Sequence, residues 1–281
     1  MNRTYDSYAK KLDRVAVYIK AHLFETPDLN TLAEVAHLSP YHFHRIYHAI
    51  IGETVALTVK RLRLQCAAGY LVQTSMSIME IAKSTGHSSL QAFTRAFKNE
   101  YGLPPSHYRT VGSHQRFQAP ANAALHLEVR LVKVKPMSGI SVQHRGSYLL
   151  IGQTFNRLLS WAKAQNKMSL VEAVVGIYDD DPFSVPEKQL RSRACLMFAQ
   201  ALEPRFELTK LSGGLCAVLR HQGPYADMRI AYQWLYGQWL PQSSYEVANA
   251  PVFEIYLNHP RDTMPKDLLV DIYLPLQNNL C

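Results

Sequence analysis

With 281 residues, of which 47% are hydrophobic and 19% charged, the chain is too long for one small domain and too apolar to stay disordered. It has no run of about eighteen apolar residues, which excludes a helical membrane span, and Met1-Asn2-Arg3-Thr4-Tyr5-Asp6 reads as no signal segment, so a cytoplasmic protein is expected. The net charge is +8, and residues 1–114 hold 13 Lys+Arg against 8 Asp+Glu with eight of the twelve histidines, a bias toward a polyanionic partner.

The first part reads as about seven helices. The first runs from Tyr5 to His22. Asp28 is expected to cap the second, which puts Leu29, Leu32, Ala33 and Ala36 on one face. Ser39 caps a third that carries Phe43, Ile46 and Tyr47 inward. A long helix from about Val55 to Gln73 joins two halves. Ser77 with Glu80 forms a capping box for the fifth, Ser88 or Ser89 caps the sixth, and Ser106 to Thr110 makes a short seventh after Leu103-Pro104-Pro105. The two halves repeat. Phe43-x-Arg45-x-Tyr47-x4-Gly52 matches Phe93-x-Arg95-x-Phe97-x4-Gly102, and Asp28-Leu29-x-x-Leu32-Ala33 matches Ser77-Ile78-x-x-Ile81-Ala82. The turn between paired helices holds Gly86 in the second copy and His37 in the first, where a positive φ would strain histidine.

Two helix-turn-helix units in one chain would look like this, and such units read DNA with the N-terminal turns of the second helix in the major groove. In the first copy the outward positions are Tyr41, His42, His44, Arg45 and His48; in the second they are Leu90, Gln91, Thr94 and Arg95. A planar guanidinium pairs with guanine O6 and N7, an amide suits adenine, and the amides after Ser39 and Ser89 would hold phosphates. One such helix alone would pass for ordinary core with a solvated arginine; two copies with matching caps and terminal glycines do not. His44 and His48 have metal-ligand spacing, but no third ligand accompanies them, so no metal is expected.

Residues 8–110 resemble the DNA-binding domain of AraC/XylS-type bacterial transcription regulators. The resemblance rests on Ile78-x-x-Ile81-Ala82-x-x-x-Gly86-His87-x-Ser89-x-x-x-Phe93-x-Arg95-x-Phe97-Lys98-x-x-x-Gly102-x-x-Pro105-x-x-Tyr108-Arg109. It implies two reading heads joined by a long helix, inserted into successive major grooves of double-stranded promoter DNA, with RNA polymerase as partner and activation as outcome. The chain departs from the pattern at His87, where the family has an aromatic residue, and at His37.

Residues 112–122 lack a helical or strand period and suit a linker, after which alternating β-branched segments begin, as in Leu127-x-Val129-x-Leu131. The second part repeats as well. Val142-Gln143-His144-Arg145-Gly146-Ser147-Tyr148 matches Leu219-Arg220-His221-Gln222-Gly223-Pro224-Tyr225, and Ile177-Tyr178-Asp179-Asp180-Asp181-Pro182 matches Ile255-Tyr256-Leu257-Asn258-His259-Pro260. Helices are expected from Leu149 to Ala164 and from Met228 to Leu240, with strands near 194–199 and 268–273. The expected architecture is therefore two domains: an all-α double helix-turn-helix domain (1–112), a linker (113–124), and an α+β domain (125–281) built from two β-α-β-β units.

Residues 125–276 resemble the GyrI-like domain through His221-x-Gly223-Pro224-Tyr225, Trp239-Leu240-Pro241, Pro251-x-Phe253-Glu254-x-Tyr256-Leu257-Asn258 and Ile272-Tyr273-x-Pro275-Leu276. This order of domains resembles Rob-like regulators and implies a small-molecule effector, frequently cationic or amphipathic, as in multidrug sensing. The residues point to a pocket independently: Glu254 stands where the first repeat has Gly176, amid Tyr148, Trp161, Tyr178, Tyr225, Trp234, Tyr256 and Tyr273. A carboxylate among aromatic faces suits an organic cation, at about 0.5–2 kcal/mol per cation–π contact. Any single one of these rings could instead be sheet–helix core. Asp179-Asp180-Asp181 reads as a solvated turn. The four cysteines, Cys66, Cys195, Cys216 and Cys281, stand far apart, so free thiols are expected. No phosphate loop, nucleophile elbow or cofactor motif appears. Two other readings stay open: a hydrolase of reactive small molecules with Glu254 as general base, and a module that binds a protein partner without a small effector.

Overall fold

The computed structural model describes residues 3–25, 28–112, 128–182, 185–198 and 206–277; the expected linker at 113–124 lies outside them. Seven helices come first: α1 (Arg3–Ala21), α2 (Leu29–Val35), α3 (Pro40–Ile51), α4 (Val55–Gln73), α5 (Ile78–Ser84), α6 (Leu90–Tyr101) and α7 (Pro105–Val111). Side-chain oxygens satisfy the first free amides of four of them. Ser39 caps α3, Thr54 caps α4, Ser77 and Glu80 form the reciprocal box on α5, and Ser89 caps α6. Asp28 departs from expectation: its backbone is extended as a cap should be, but its side chain makes no capping bond to α2. Helices α3 and α6 both stop at a left-handed glycine, Gly52 and Gly102.

Helix α4 serves two cores at once. Val59, Leu62 and Cys66 join Val15, Ile19, Phe43 and Tyr47, whereas Leu64, Ala67, Ala68 and Leu71 join Ile81, Phe93, Phe97 and Tyr108. Its apolar residues therefore surround the helix instead of forming one stripe. The 19 residues of α4 span about 28 Å, close to the roughly 34 Å repeat of B-DNA.

The second domain contains β1 (Val129–Val134), β2 (Met137–Arg145), α8 (Gly152–Ala164), β3 (Val171–Tyr178), β4 (Arg191–Phe198), β5 (Glu207–Leu211), β6 (Gly214–Gln222), α9 (Met228–Trp234), β7 (Val252–Tyr256) and β8 (Leu269–Pro275). Helix α9 runs on through a π-helical turn at Leu235–Trp239. The eight strands form one antiparallel sheet in the order β1-β6-β8-β7-β3-β4-β2-β5. Exchanging the two repeats reverses this order, so a pseudo-twofold axis passes between β3 and β7. Each repeat holds one strand more than the expected β-α-β-β unit, namely β1 and β5. The alternation expected at Val129-x-Leu131 falls on β1, and each of the two added strands pairs with a strand of the other repeat (β6 and β2), not with its neighbour in sequence.

The two-residue connections β1–β2 and β5–β6 join strands that lie toward opposite ends of the order, so the sheet must curl until its ends meet. They meet at Gly213, where an added Cβ would lie 2.7 Å from Val134 O and Pro136 N. The inner side of the curl is a core of Val175, Ile177, Cys195, Met197, Val218 and Phe253. Alternate residues of the same strands face α8 and α9.

The two domains share their packing. The pseudo-symmetric turns at Tyr148–Leu150 and Tyr225–Asp227 both lie against α4, with Leu150 completing the first helical core and Ala226 the second. Asp13 pairs with Arg157 at 2.8 Å, and Tyr108 donates to the buried Asp227 carboxylate at 2.9 Å.

Candidate functional site: two reading helices and an interdomain cleft

Helix α3 buries Phe43 and Tyr47, which leaves Tyr41, His42, His44, Arg45 and His48 exposed, with Ser39 at the cap. Helix α6 buries Phe93 and Phe97 and exposes Leu90, Gln91 and Arg95 after Ser89; Thr94 is half-buried. Arg45 is not idle in the free protein. Its Nη1 donates to Tyr41 Oη at 2.6 Å, and its guanidinium lies 5.5 Å from the centre of that ring. The first turn carries the anticipated strain, since His37 has φ +50°. His87 fills the aromatic place by packing its edge on Phe93 at 5.0 Å and bonding Thr85 at 3.1 Å; burial and then Arg63 hold its pKa below the ordinary value.

Sequence reasoning missed Arg63. From the middle of α4 it donates to Leu23 O at 2.7 Å, to Gly86 O at 3.1 Å and to Glu25 O, tying the end of α1 to the turn of the second unit. Only a planar fork reaches three carbonyls in this way. Its signal in the sequence was no more than a basic residue on a long helix.

A cleft of about 1330 Å³ opens between the domains, lined by Ile50, Arg61, Phe155, Tyr178, Tyr225, Glu254 and Tyr256 among others. Glu254 lies on β7 directly opposite Gly176 on β3, beside the pseudo-twofold axis. Tyr232 donates to its Oε1 at 2.8 Å, Tyr256 to its Oε2 at 2.6 Å, and the Tyr178 and Tyr256 hydroxyls bond each other. A Cβ on Gly176 would stand 2.9 Å from the Tyr178 hydroxyl, so glycine here leaves room for that ring beside the carboxylate. Burial pushes the pKa of Glu254 up, against the hydrogen bonds from Tyr256, Tyr232 and Tyr178 that favour the charged form. Burial first, and Glu254 second, push the Tyr178, Tyr232 and Tyr256 hydroxyls well above their ordinary range, so they remain donors.

Of the expected pocket residues, Tyr148, Tyr178, Tyr225, Tyr256 and Glu254 share this cleft. Trp161, Trp234 and Tyr273 do not line it. Tyr273 stacks on Phe253 at 4.7 Å on the other face of the sheet, because strand residues alternate and Tyr273 pairs with Phe253, not Glu254. Trp161 on α8 is buried against Phe206, and Trp234 at the end of α9 packs against the core beneath that helix. Tyr232 of α9 and Phe155 of α8, which sequence reasoning did not place in the pocket, also reach the site, Phe155 through an edge contact with Tyr256 at 5.0 Å.

Among the described residues no cluster of three metal-ligating side chains occurs, Cys66, Cys195 and Cys216 are free and buried, and no helix is long and apolar enough to cross a membrane.

Paired helix-turn-helix units on one shared helix, joined to a duplicated sheet with a carboxylate in its cleft, define a two-domain protein of the AraC-type, GyrI-like class. The model of the GyrI-like small molecule binding domain matches residues 127–277, more than half the chain, and the chain belongs to that family. A helix-turn-helix domain model matches residues 32–110. The HTH-type transcriptional regulator YbfP of Bacillus subtilis (strain 168) is 37% identical over 103 residues, 37% of this chain and 35% of that one. The transcriptional regulator Rob of Salmonella typhimurium (strain LT2) is 30% identical over 101 residues, 36% of this chain and 35% of that one. The matched stretch thus spans about a third of each relative's length. The crystal structure of the EcmrR C-terminal domain is 16% identical with a TM-score of 0.43, covering 54% of this chain and 98% of that one.

Proposed function

We propose that this protein is a one-component bacterial transcription regulator, most simply an activator working beside RNA polymerase in the cytoplasm. Helices α3 and α6 read promoter DNA through Arg45 and Arg95, with Tyr41, His44, Gln91 and Leu90 as further groove contacts, and the cleft around Glu254 binds a small cationic or amphipathic effector. One observation carries the reading: two capped helices expose matching arginine faces from opposite sides of α4, and α4 itself packs on the turns that bring Tyr148 and Tyr225 into the cleft. On the proposed domain division (1–112, 113–124, 125–281), ligand and DNA thus bear on the same helix.

Both oxygens of Glu254 already accept tyrosine hydroxyls, an arrangement that favours binding over activation of a water as general base. The test is binding of the full chain to its own upstream region against scrambled DNA across a salt series. Arg45→Ala and Arg95→Ala should each cost roughly 1–3 kcal/mol of sequence discrimination while the fold persists. Equal affinity of both variants and the parent for the promoter would sink the assignment.

A further inference from the structure

The loops after β3 and β7 are counterparts in the repeat, yet the first is acidic and the second brings a guanidinium to the cleft. One carries Asp179-Asp180-Asp181 and the other His259-Pro260-Arg261, and all six residues line the same cleft. On the acidic side, Asp179 and Asp180 are held by Arg193 at 2.9 Å and Arg191 at 2.7 Å.

At the basic side two guanidiniums from different domains face the cleft, Arg61 of α4 and Arg261. The carboxylate nearest them, Glu53, pairs with Arg61 at 2.6 Å and also accepts from Thr58 at 2.9 Å, but it is not among the residues that line the cleft. Arg261 donates to Asn156 and lies against the end of the first reading helix, where a Cβ on Gly52 would be 3.2 Å from its Nη1. The exposed Asp262 also lines the cleft and is a second carboxylate beside Arg261. His259 adds no charge, because burial and the two arginines push it down to about 4. Among the described residues, the Nε atoms of both Arg61 and Arg261 are buried without a hydrogen-bond partner. Buried donors of this kind ordinarily have partners. Two half-buried guanidiniums lining the cleft, with Glu53 paired to one of them and a buried Nε–H on each left without a protein partner, offer donors to oxygen anions.

We propose that this end of the cleft is an oxyanion subsite, in which Arg61 and Arg261 receive the carboxylate or phosphate oxygens of the effector. The inference rests on reading the cleft as the effector site, and it narrows the effector to a dipolar amphiphile. Its anionic end meets Arg61 and Arg261, its apolar body lies along Ile50, Phe155 and Leu159, and its cationic or donor-rich end meets Glu254. Because Arg61 belongs to α4 and Arg261 abuts Gly52, such a ligand bridges the sheet directly to the helices that carry the reading heads.

Calorimetric titration of the full chain tests this with four probes. They are undecyltrimethylammonium, undecanoate, an undecanoate bearing a terminal trimethylammonium group, and the same chain ended by phosphate instead of carboxylate. The double-ended probes should bind on the order of tenfold more tightly than the cation alone. Arg261→Gln should remove that advantage and leave the affinity for the plain cation within about twofold, while Arg261→Lys restores part of it. The preferred double-ended probe tells whether carboxylate or phosphate is the natural group. Arg61→Gln, checked for folding by circular dichroism, should act in the same direction as Arg261→Gln. Glu254-dependent cation binding that gains nothing from either anion, or a gain that survives Arg261→Gln, overturns the subsite and leaves the effector reading standing. Absence of binding by all four probes overturns both.

Discussion

Glu254 is a carboxylate whose surroundings pull in two directions. Burial favours the neutral acid, whereas tyrosine hydroxyls favour the anion, and the balance lies toward a raised pKa. Between the ordinary carboxylate value and this raised one, the folded protein holds a proton that the unfolded chain has lost. Stability therefore falls as pH rises through that window. Urea unfolding at a series of pH values should show this decline in the parent and a flatter profile in Glu254→Gln. Over the same window the affinity for a cationic probe should rise with pH, because the site gains its charge; a pH-independent affinity would count against Glu254 as the cation's partner. On the DNA side, Arg45 bonds Tyr41 when no DNA is present, so Tyr41→Phe should change the affinity for promoter DNA far less than Arg45→Ala does.

At the scale of single elements, turns decide more than helices. Gly86 has φ +74°, and a Cβ there would lie 2.8 Å from Phe24 O and 3.0 Å from Arg63 Cζ. Gly86→Ala should destabilise the protein by roughly 1–3 kcal/mol, through both the left-handed backbone and the lost approach of the second unit to α1, as read from denaturant midpoints. The strand-to-helix turns of the second domain are fastened by buried histidines: His144 bonds Thr154 and Ser147 O, and His221 bonds Pro224 O. Burial, then Lys20, pushes His144 from its ordinary 6.5 to about 4. The sign here is opposite to that of Glu254. Below 6.5 the unfolded chain takes up a proton that folded His144 refuses, so its contribution is present above 6.5 and is lost as pH falls toward 4. His144→Gln should flatten that acid limb in the same unfolding series.

For the whole molecule, the domain seam is a buried interface in which each domain completes the other. Tyr108, in the aromatic cluster of the second reading unit, donates to Asp227, two residues beyond the cleft residue Tyr225. Tyr108→Phe should cost about 1–3 kcal/mol of global stability. It should also weaken the effect of a cationic probe on DNA affinity while Arg45 still discriminates sequence; undiminished coupling would show that the seam transmits by another route.

Much of this protein is written locally. Caps at Ser39, Ser77 and Ser89, glycines ending α3 and α6, and outward arginines at a fixed place in each repeat depend on near neighbours, so they were legible from the sequence. Internal duplication made them legible twice. The class of the second domain and the singular position of Glu254 were also legible in the sequence, because a carboxylate that breaks a repeat stands out without coordinates. Tertiary structure decided the rest. Which aromatic rings face Glu254 depends on strand parity and on pairing across the sheet, which sends Tyr273 to the far face and brings in Tyr232. The roles of β1 and β5 depend on partners 66 to 90 residues away. The meeting of Arg61 with Arg261, and of Arg63 with the turn at Gly86, exists only because distant segments pack on α4. Hydrogen bonds within a turn are fixed by a few consecutive residues, whereas a shared cleft is fixed by how whole domains bury their surfaces.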